Sequence, residues 1–357
     1  MNKKETIAIH GSYFGLNFGD TLIISIINNW VKEFRPNAEI NLPFVNSSKE
    51  ANQIVFNENY IKDPSLKNTT ALIFGPGGYF GEPNGSFLKR QYWYLRNYKR
   101  HLFWNKKLYK KNIPFMIVGV GVGPINNSLM RKTIIKLFKK AQFIAVRDQV
   151  SKDYLVDWGI PIETINTTRD VALSIESKQE KRGLRDKRRI GVHFSGNELS
   201  KFGKMDEFIA FIKYLIQNYE VVLVEDEPNQ TKKLNSGSLY ERLKFEKISL
   251  PTVNYENPKK LLNDLQMLDA IITSKLHVGI LGYSYLIPVL SIPKHKKTRR
   301  FYEQINRSEF CLDFQTLEIE FLIKTFEECI ASPIMVNKMK DGALLNKKMV
   351  GEFLSQL

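Results

Sequence analysis

The residues best suited to chemistry follow a short apolar run in the second half of the chain. Ala270 to Thr273 is apolar and β-branched, as is typical of a buried parallel strand, and Ser274, Lys275 and His277 come directly after it. In an open α/β sheet, ligands bind beyond the carboxyl ends of the strands, beside the N-termini of the following helices. A lysine and a histidine at this point could hold an anion and move a proton. A solvated lysine beside a histidine that caps a turn would give the same pattern.

The segments around these residues predict an α/β domain. Short apolar runs that end in polar or charged residues alternate with amphipathic stretches of helical length. The predicted strands are Arg189 to Phe194, Glu220 to Val224, Ala270 to Thr273 and Pro288 to Ile292, and the predicted helices are Met205 to Tyr219, Pro258 to Leu268 and Val278 to Leu286. The basic run Lys294 to Lys297 follows the last of these strands.

The first half of the chain shows the same alternation. The predicted strands are Thr6 to His10, Ile40 to Phe44, Thr70 to Phe74, Phe115 to Val118 and Phe143 to Val146, and the predicted helices are Thr21 to Phe34 and Ser151 to Trp158. Glycines follow the first, third and fourth of these strands, where they would let a ligand approach the backbone, although a structural turn would also explain the first loop. Asp20 is predicted to cap the first helix. These strand ends together predict a cleft lined by the carboxyl edge of the sheet.

The order of elements predicts two doubly wound, Rossmann-like α/β domains that face a cleft, as in the B-type glycosyltransferase fold. A chain of 357 residues suits two domains. Ser174 to Arg189 is polar, charged and glycine-containing, and is therefore the predicted linker. We expect domains at residues 1–178 and 187–335. Residues 336–357 are expected to form a C-terminal helix that could cross back to the first domain.

Composition indicates a folded cytoplasmic protein with an anionic partner. The net charge of +16 fits nucleic acid, an anionic membrane surface or an anionic substrate, and composition does not choose among them. Cys311 and Cys329 lack the spacing of a metal site or a disulfide framework, which indicates a reducing compartment. The histidines are also scattered, so we predict no metal. We find neither a signal peptide nor an apolar run long enough to span a membrane.

A basic aromatic segment, Lys89 to Asn112, lies between the predicted strands of the first domain. It contains nine lysines or arginines, seven aromatic residues and no acidic residue. Such a segment could lie on an anionic membrane surface or grip an acidic polymer. An amphipathic helix with a solvated basic face and buried rings is equally compatible with the pattern. Single-stranded nucleic acid would also suit it, but no nucleic-acid-binding motif accompanies the segment.

Several motifs occur together in an order that resembles the polysaccharide pyruvyl transferase family. They are GSYFGLNFGD, GPGGYFGE, GVGVGP, AVRDQVSKDYL, TRDVAL and SKLHVGILGYSYLIPVLSIP, and they extend from the first strand to Lys297. The resemblance implies an enzyme that transfers the enolpyruvyl part of phosphoenolpyruvate to two hydroxyls of a sugar, which gives a pyruvate ketal. It also implies a bacterial surface polysaccharide precursor as the acceptor, which could be lipid-linked, and phosphoenolpyruvate as a substrate with no cofactor.

The resemblance also assigns residues. The family's Arg-Leu-His motif falls on Lys275, Leu276 and His277, so a lysine stands where an arginine is usual. A downstream lysine of the family falls on Lys297. The Val-Arg-Asp motif falls on Arg147 and Asp148. The glycine loops and the opening loop fall on Gly77, Gly78, Gly121, Gly123, Asn17 and Asp20.

The chemistry that the resemblance implies needs cations and a proton carrier. Arg147, Lys275 and Lys297 are the predicted cations for the phosphate and carboxylate of the donor, and backbone N–H groups of the glycine loops are expected to assist them. His277 is the predicted proton carrier, because an imidazole titrates near neutrality. Asp20 or Glu82 could instead supply the base on the sugar side. Asn17 and Glu82 are the predicted acceptor-binding residues.

Two other classes of function fit parts of the sequence. A B-type glycosyltransferase that uses a nucleotide sugar would share the two-domain cleft, and Glu225 or Asp226 could then hold a ribose or sugar hydroxyl. A non-catalytic protein that binds glycans or nucleic acid through its basic face would not need Lys275, His277 or Lys297. The preferred prediction is a cytoplasmic pyruvyl transferase without a nucleic-acid partner, which could also lie peripherally at the inner face of the membrane and could form a homo-oligomer.

Overall fold

The chain forms two compact units in the computed structural model, which describes residues 5–14, 16–56, 58–83, 85–176, 186–233, 235–334 and 339–357. The first unit comprises Met1–Ser174 with Lys338–Leu357, and the second comprises Ile175–Asn337. The predicted domain limits at residues 178 and 336 lie outside the described residues, as does Gly15 of the first glycine loop.

The first unit is a parallel sheet with helices between its strands. Its strands are β1 (Thr6–His10), β2 (Glu39–Asn41), β3 (Tyr60–Ile61), β4 (Ala71–Phe74), β5 (Gly77–Phe80), β6 (Phe115–Val122), β7 (Phe143–Val146) and β8 (Ile165–Thr167). Its helices are α1 (Phe18–Phe34), α2 (Ser48–Val55), α3 (Phe87–Asn97), α4 (Asn105–Lys110), α5 (Ser128–Phe138) and α6 (Gln149–Asp157), with a π-helical turn at Tyr98–Leu102. The sheet order is β3-β2-β1-β4-β6-β7-β8, and β5 pairs with β6.

Burial explains why the strands of this unit could be predicted from the sequence. All residues of β1 and β4 are buried, as expected for apolar strands covered on both faces of a parallel sheet. The chain runs outward from β1 to β2 and β3, and then continues from β4 on the other side of β1. The β1–β4 boundary is therefore the topological switch point of this sheet, where such folds place ligands.

Two predictions for the first unit are wrong in detail. The first helix begins at Phe18, and Asn17 rather than Asp20 caps it, since the Asn17 side chain accepts from the N–H groups of Gly19 and Asp20 at 3.1 and 3.4 Å. The later glycines are not in open loops at strand ends. Gly77 and Gly78 begin β5, and Gly121 lies inside β6, because β6 continues past its first apolar run to Val122.

The second unit repeats the doubly wound pattern on a smaller scale. Its strands are β9 (Arg189–His193), β10 (Glu220–Val224), β11 (Thr252–Val253), β12 (Ala270–Thr273) and β13 (Val289–Ser291). Its helices are α7 (Glu198–Lys201), α8 (Met205–Asn218), α9 (Leu239–Phe245), α10 (Pro258–Gln266), α11 (Leu276–Ser284), α12 (Lys296–Gln304) and α13 (Ile319–Ala331). The parallel sheet has the order β11-β10-β9-β12-β13, so its switch point lies between β9 and β12.

The last helix, α14 (Met339–Ser355), belongs to the first unit. The Thr168 hydroxyl donates to the Asn346 side-chain oxygen at 2.9 Å, and the Asn346 amide donates to the Arg169 carbonyl at 2.9 Å. These hydrogen bonds join α14 to the chain that follows β8. Within the described residues, no helix is both long and apolar enough to cross a bilayer.

Candidate functional site

The candidate site lies at the carboxyl edge of the second sheet, at its switch point. His193 is the last residue of β9 and Thr273 is the last residue of β12, and the two are directly paired in register. Lys275 follows as the N-cap residue of α11. The edge between β9 and β12 is therefore where elementary fold rules place a ligand, and the helix N-terminus there favours an anion.

Four side chains at this edge form one hydrogen-bonded group, which we call the switch-point network. The Lys275 ammonium donates to Asp226 Oδ2 at 2.9 Å, and His193 Nε2 lies 3.0 Å from Asp226 Oδ1. His193 Nδ1 lies 3.0 Å from the Thr273 hydroxyl, which accepts the backbone N–H of Lys275 at 3.0 Å. With the proton on Nε2, every contact has one donor and one acceptor. The network thus joins the ends of three strands to the start of α11.

Asp226 is the buried anion of the switch-point network, with a side chain only 3% exposed. Burial alone would raise its pKa, but the charges and hydrogen bonds of His193 and then of Lys275 outweigh burial and hold the pKa below the ordinary carboxyl value. The Asp226 backbone N–H donates to the Gln230 side chain at 2.8 Å. The carboxylate is therefore ionised and fixed in place, and it holds the Lys275 ammonium in one position.

The positive charges of three lysines act on His295, the N-cap residue of α12. Loss of solvation lowers the pKa of His295, and the positive charges of Lys297, Lys294 and Lys275 lower it further against an opposing effect of Glu198. Glu198 is an ion-pair partner of Lys294, at 2.5 Å. The charges of the predicted residues Lys275 and Lys297 thus act on the same side chain, that of His295.

His277 is the second residue of α11, two residues after the Lys275 N-cap, and its side chain is half-buried. It therefore lies in the first turn of the helix that begins at the switch point. Its predicted role as proton carrier stays a prediction, as do the donor-binding roles of Lys275 and Lys297.

In the first unit, Arg147 follows β7 and its side chain is largely buried. Its guanidinium lies 3.7 Å from the carboxylates of Asp148 and Asp170. A Cβ atom added to Gly121 would lie 2.7–2.9 Å from three atoms of this guanidinium group. Glycine is thus needed at position 121 to leave room for the arginine. Arg147 as a donor-binding cation stays a prediction.

Replacing Gly121 by alanine tests that role without changing any charge. The added methyl group is expected to displace the Arg147 guanidinium and to lower kcat/KM for phosphoenolpyruvate, by up to about a hundredfold for a shift of about 1 Å. Steady-state kinetics of Gly121→Ala, Arg147→Ala and the double variant measure the effect. In the Arg147→Ala background the methyl group has nothing to displace, so a further large loss there would contradict the explanation.

The other predicted glycines lie in or beside the β5–β6 pair. The Gly123 backbone N–H donates to the Phe80 carbonyl at 3.1 Å, so this amide is used within the pair. A side chain at Gly81 would lie 3.4 Å from the Gly123 backbone nitrogen, which shows how closely the two backbones approach. Gly77 pairs with Val120. Donor contacts to Gly77, Gly78 and Gly123 stay predictions.

Glu82, a predicted acceptor-binding residue and alternative base, is a buried anchor. Its carboxylate accepts the Tyr94 hydroxyl at 2.5 Å and the Asn126 backbone N–H at 2.8 Å, and Arg90 lies 3.4 Å away. Burial raises its pKa, but the hydrogen bonds from Tyr94 and Asn126 and the charge of Arg90 give a net decrease. Glu82 thus fastens α3 to the loop before α5. Its contact with an acceptor, like those of Asn17 and Asp20, stays a prediction.

The switch point of the first sheet holds a buried histidine pair. His10, the last residue of β1, places Nε2 at 2.9 Å from Nδ1 of His101 in the π-helical turn. The His101 ring stacks on Tyr79, with centroids 4.3 Å apart. Burial lowers the pKa of His10 to about 3, so the pair is neutral at physiological pH. These histidines are part of the core rather than groups that titrate near neutrality.

The residues that the sequence left unassigned are His193 and Thr273. Asp226 was placed at the right edge, but as a ligand for a sugar or ribose hydroxyl rather than as the partner of Lys275. The sequence did carry a signal for the network: the polar His193 lies near the end of one predicted strand, and the acidic run that begins at Glu225 follows another.

Comparison with known proteins gives a family and a fold. The family model described as polysaccharide pyruvyl transferase matches residues 17–295. Comparison with curated protein sequences gives no match. Among solved structures, the chain is similar to UDP-GlcNAc 2-epimerase from Methanocaldococcus jannaschii, with a TM-score of 0.63 and 13% identity over 97% of this chain and 99% of that one. It is also similar to the Neisseria meningitidis UDP-GlcNAc 2-epimerase, with a TM-score of 0.64 and 10% identity over 99% and 100%. These similarities confirm the predicted fold of two Rossmann-like domains.

Proposed function

The chain belongs to the polysaccharide pyruvyl transferase family and is an enzyme, and on this premise we propose that it transfers a pyruvyl group from phosphoenolpyruvate to two hydroxyls of a sugar. The observation that carries the proposal is the set of lysines at the switch point of the second sheet. Lys275 is the N-cap residue of α11, and its positive charge acts on the His295 imidazole together with those of Lys294 and Lys297. Such a site suits a small molecule with several negative charges.

Phosphoenolpyruvate presents a phosphate and a carboxylate on three carbons, so it needs fixed cations at short spacing. The Lys275 ammonium has three N–H donors, of which one is given to Asp226, so the others can reach an anion. Lysine lacks the planar fork with which arginine binds a carboxylate. We infer that the hydrogen bond to Asp226 compensates for the missing guanidinium group, because it holds the Lys275 ammonium in a single position.

The proposed reaction is a balanced exchange of bonds. A proton is added to the methylene carbon of phosphoenolpyruvate, which becomes a methyl group, and positive charge develops on the carbon that bears the phosphate. The first sugar hydroxyl loses its proton and forms a C–O bond to that carbon. The C–O bond to phosphate then breaks, and the second hydroxyl closes the ketal while its proton is released. His277 is proposed to carry protons, since an imidazole can both donate and accept near neutral pH.

The proposed acceptor is a precursor of a bacterial surface polysaccharide, made in the cytoplasm or at the inner face of the membrane. Family membership supports a saccharide acceptor and phosphoenolpyruvate as the donor in general terms. Capsule, exopolysaccharide and cell-wall polymers are all consistent with it. A precursor carried on a lipid would require the enzyme to work next to a bilayer.

The glycosyltransferase alternative has less support. The two similar structures named above are UDP-GlcNAc 2-epimerases by their descriptions, but identities of 13% and 10% are informative about the fold alone. Asp226 is enclosed by His193 and Lys275, and its carboxylate is thereby used within the protein. The family match points to the pyruvyl donor instead.

The function is tested by incubating the purified protein with phosphoenolpyruvate and a panel of sugars and sugar-linked lipids. Release of inorganic phosphate that depends on the acceptor, together with a product heavier by a pyruvate ketal in mass spectrometry, is the expected result. Parallel incubations with UDP-sugars address the glycosyltransferase. Acceptor-dependent release of UDP, without phosphate release from phosphoenolpyruvate, would overturn the proposal.

Replacing Lys275 or Lys297 by methionine is expected to weaken donor binding. Loss of one charge-assisted hydrogen bond of about 1.5–3 kcal/mol corresponds to an increase of about 10- to 100-fold in the KM for phosphoenolpyruvate. Lys213, a lysine of the same unit in a surface ion pair with Glu246, supplies the matched control, and Lys213→Met should leave the KM unchanged. A fall in kcat at constant KM in the Lys275 and Lys297 variants would contradict their anion-binding role.

A further inference from the structure

The basic aromatic segment is not used by the proposed chemistry, and its charge continues into a neighbouring helix. Phe87 to Asn112 contains nine lysines or arginines and no acidic residue, and Ser128 to Lys140, which includes α5, contains five and again no acidic residue. The ammonium groups of Lys136 and Lys140 lie 5.5 and 4.5 Å from the centroid of the Tyr109 ring, so α4 and α5 are adjacent. We call α3, the π-helical turn, α4 and α5 together the basic apolar surface.

The helix α3 carries apolar side chains on two opposite faces. Trp93, Tyr94 and Asn97 are buried and fix one face to the unit. Leu88, Tyr92 and Leu95 follow a spacing of four and three residues, which places them on the opposite face. Their exposed fractions are 78%, 65% and 71%. This outer face is therefore an apolar stripe that no part of the described chain covers.

Further exposed apolar residues lie on the same helix and on neighbouring elements. Phe87 at the start of α3, Phe103 after the π-helical turn and Leu129 at the start of α5 are all more than half exposed. The Asn127 backbone N–H donates to the Tyr94 hydroxyl at 3.2 Å, which holds the start of α5 beside α3. Large exposed apolar side chains that are concentrated on adjacent elements mark an interaction site on a folded protein.

The combination of aliphatic side chains and excess positive charge selects one kind of partner. Nucleic acid would match the charge and could stack on Phe87, Tyr92 and Phe103, but it would leave the aliphatic side chains of Leu88, Leu95 and Leu129 in water. A second copy of the chain would bring two strongly basic surfaces together, and they would repel each other. A bilayer with anionic lipids satisfies both features, because phosphate headgroups attract the lysines and arginines while the leucines and aromatic rings enter the acyl boundary.

We propose that the basic apolar surface docks the enzyme on an anionic lipid bilayer, with Leu88, Tyr92 and Leu95 inserted below the headgroups. Docking on a bilayer is separate from the transfer chemistry. The surface belongs to the first unit, and it would keep the enzyme next to an acceptor carried on a lipid. The exposed lysines of α4, Lys106 and Lys107, and those of α5 then lie at the level of the phosphates.

Vesicle flotation of the full-length protein tests the docking. The protein is expected to float with vesicles of phosphatidylcholine and phosphatidylglycerol, and not with phosphatidylcholine alone, and binding should fall as salt is raised. Replacing Leu88, Tyr92 and Leu95 together by serine is expected to reduce the bound fraction at least about tenfold, since three inserted side chains are lost. These residues are exposed, so the variant should unfold at the same temperature as the wild type.

A matched variant distinguishes insertion of Leu88, Tyr92 and Leu95 from nonspecific hydrophobic adsorption. Ile162, Phe245 and Phe321 are exposed apolar residues outside the basic apolar surface, and their replacement by serine should leave flotation unchanged. Equal binding by the wild type and the Leu88, Tyr92 and Leu95 variant would overturn the proposal, as would binding to a synthetic polyanion that competes fully with the vesicles. Flotation needs neither donor nor acceptor, so its outcome is independent of the proposed function.

Discussion

Replacing His277 by alanine is expected to lower kcat by about two to four orders of magnitude, because a positioned general acid or base contributes that much to a proton transfer. The KM for phosphoenolpyruvate should change little, since the cations remain. The half-buried imidazole lies in the first turn of α11 at the switch point, where the donor is proposed to bind. Single-turnover measurements of phosphate release would give the rate of the chemical step directly.

The other histidines of the second unit provide the comparison for His277. Both ring nitrogens of His193 are engaged, with Thr273 and Asp226, and the ring is fully buried. His295 is exposed, and its pKa is lowered by loss of solvation and by the neighbouring lysines. We expect His295→Ala to reduce turnover far less than His277→Ala. Near-wild-type turnover in His277→Ala, with an intact fold, would remove His277 from the proposed mechanism.

Strands were the part of the fold most predictable from the sequence. The predicted limits of Thr6–His10, Glu220–Val224 and Ala270–Thr273 agree with β1, β10 and β12. These strands are apolar, β-branched and buried on both sides, so burial and local propensity favour the same structure. A glycine or a polar residue (Gly11, Glu225 and Ser274) follows each of them directly, which also located the ends of the strands and hence the edge where the candidate site lies.

One error arose because the partner strand could not be recognised from local propensity. β6 continues through Gly119 and Gly121 because β5 pairs with its second half, and β5 itself contains glycines that lower strand propensity. The error at the first helix is local instead. Asp20 was predicted as the cap because it is acidic and precedes an apolar run, but the helix begins one turn earlier and the Asn17 side chain accepts from the N–H groups of Gly19 and Asp20.

The switch-point network was hidden for the same reason. His193 and Asp226 are 33 residues apart, and Asp226 and Lys275 are 49 apart, so only the strand order brings them together. Polar residues could be located at the right strand ends, but their pairing could not be predicted. Likewise, the pattern of the basic aromatic segment predicted a buried face and a basic face. It did not predict the exposed stripe of Leu88, Tyr92 and Leu95, because the stripe depends on which side of α3 packs against the unit.

Replacing Asp226 by asparagine is expected to destabilise the protein and to weaken donor binding together. Removal of one member of a buried charge pair lowers the free energy of unfolding by about 3 kcal/mol, a loss that a typical domain tolerates without unfolding. Because the pKa of Asp226 is lowered in the folded state, its charge stabilises the fold above the unfolded-state pKa of about 3.9, and this contribution is lost as pH falls below that value. The difference in free energy of unfolding between wild type and variant should therefore be constant above about pH 5 and shrink in more acidic solution.

The role of Asp226 in positioning Lys275 is separated from its role in stability by two further variants. Glu225, the adjacent buried carboxylate, accepts the backbone N–H and the hydroxyl of Thr231 at 2.8 and 2.7 Å and the backbone N–H of Tyr255 at 3.3 Å. Glu225→Gln should thus lower stability while the KM for phosphoenolpyruvate is retained. In Asp226→Asn that KM should rise, and adding Asp226→Asn to Lys275→Met should raise it no further, because the carboxylate acts on the donor only through the ammonium. Additive effects of the two substitutions on the KM would show that Asp226 does not position Lys275.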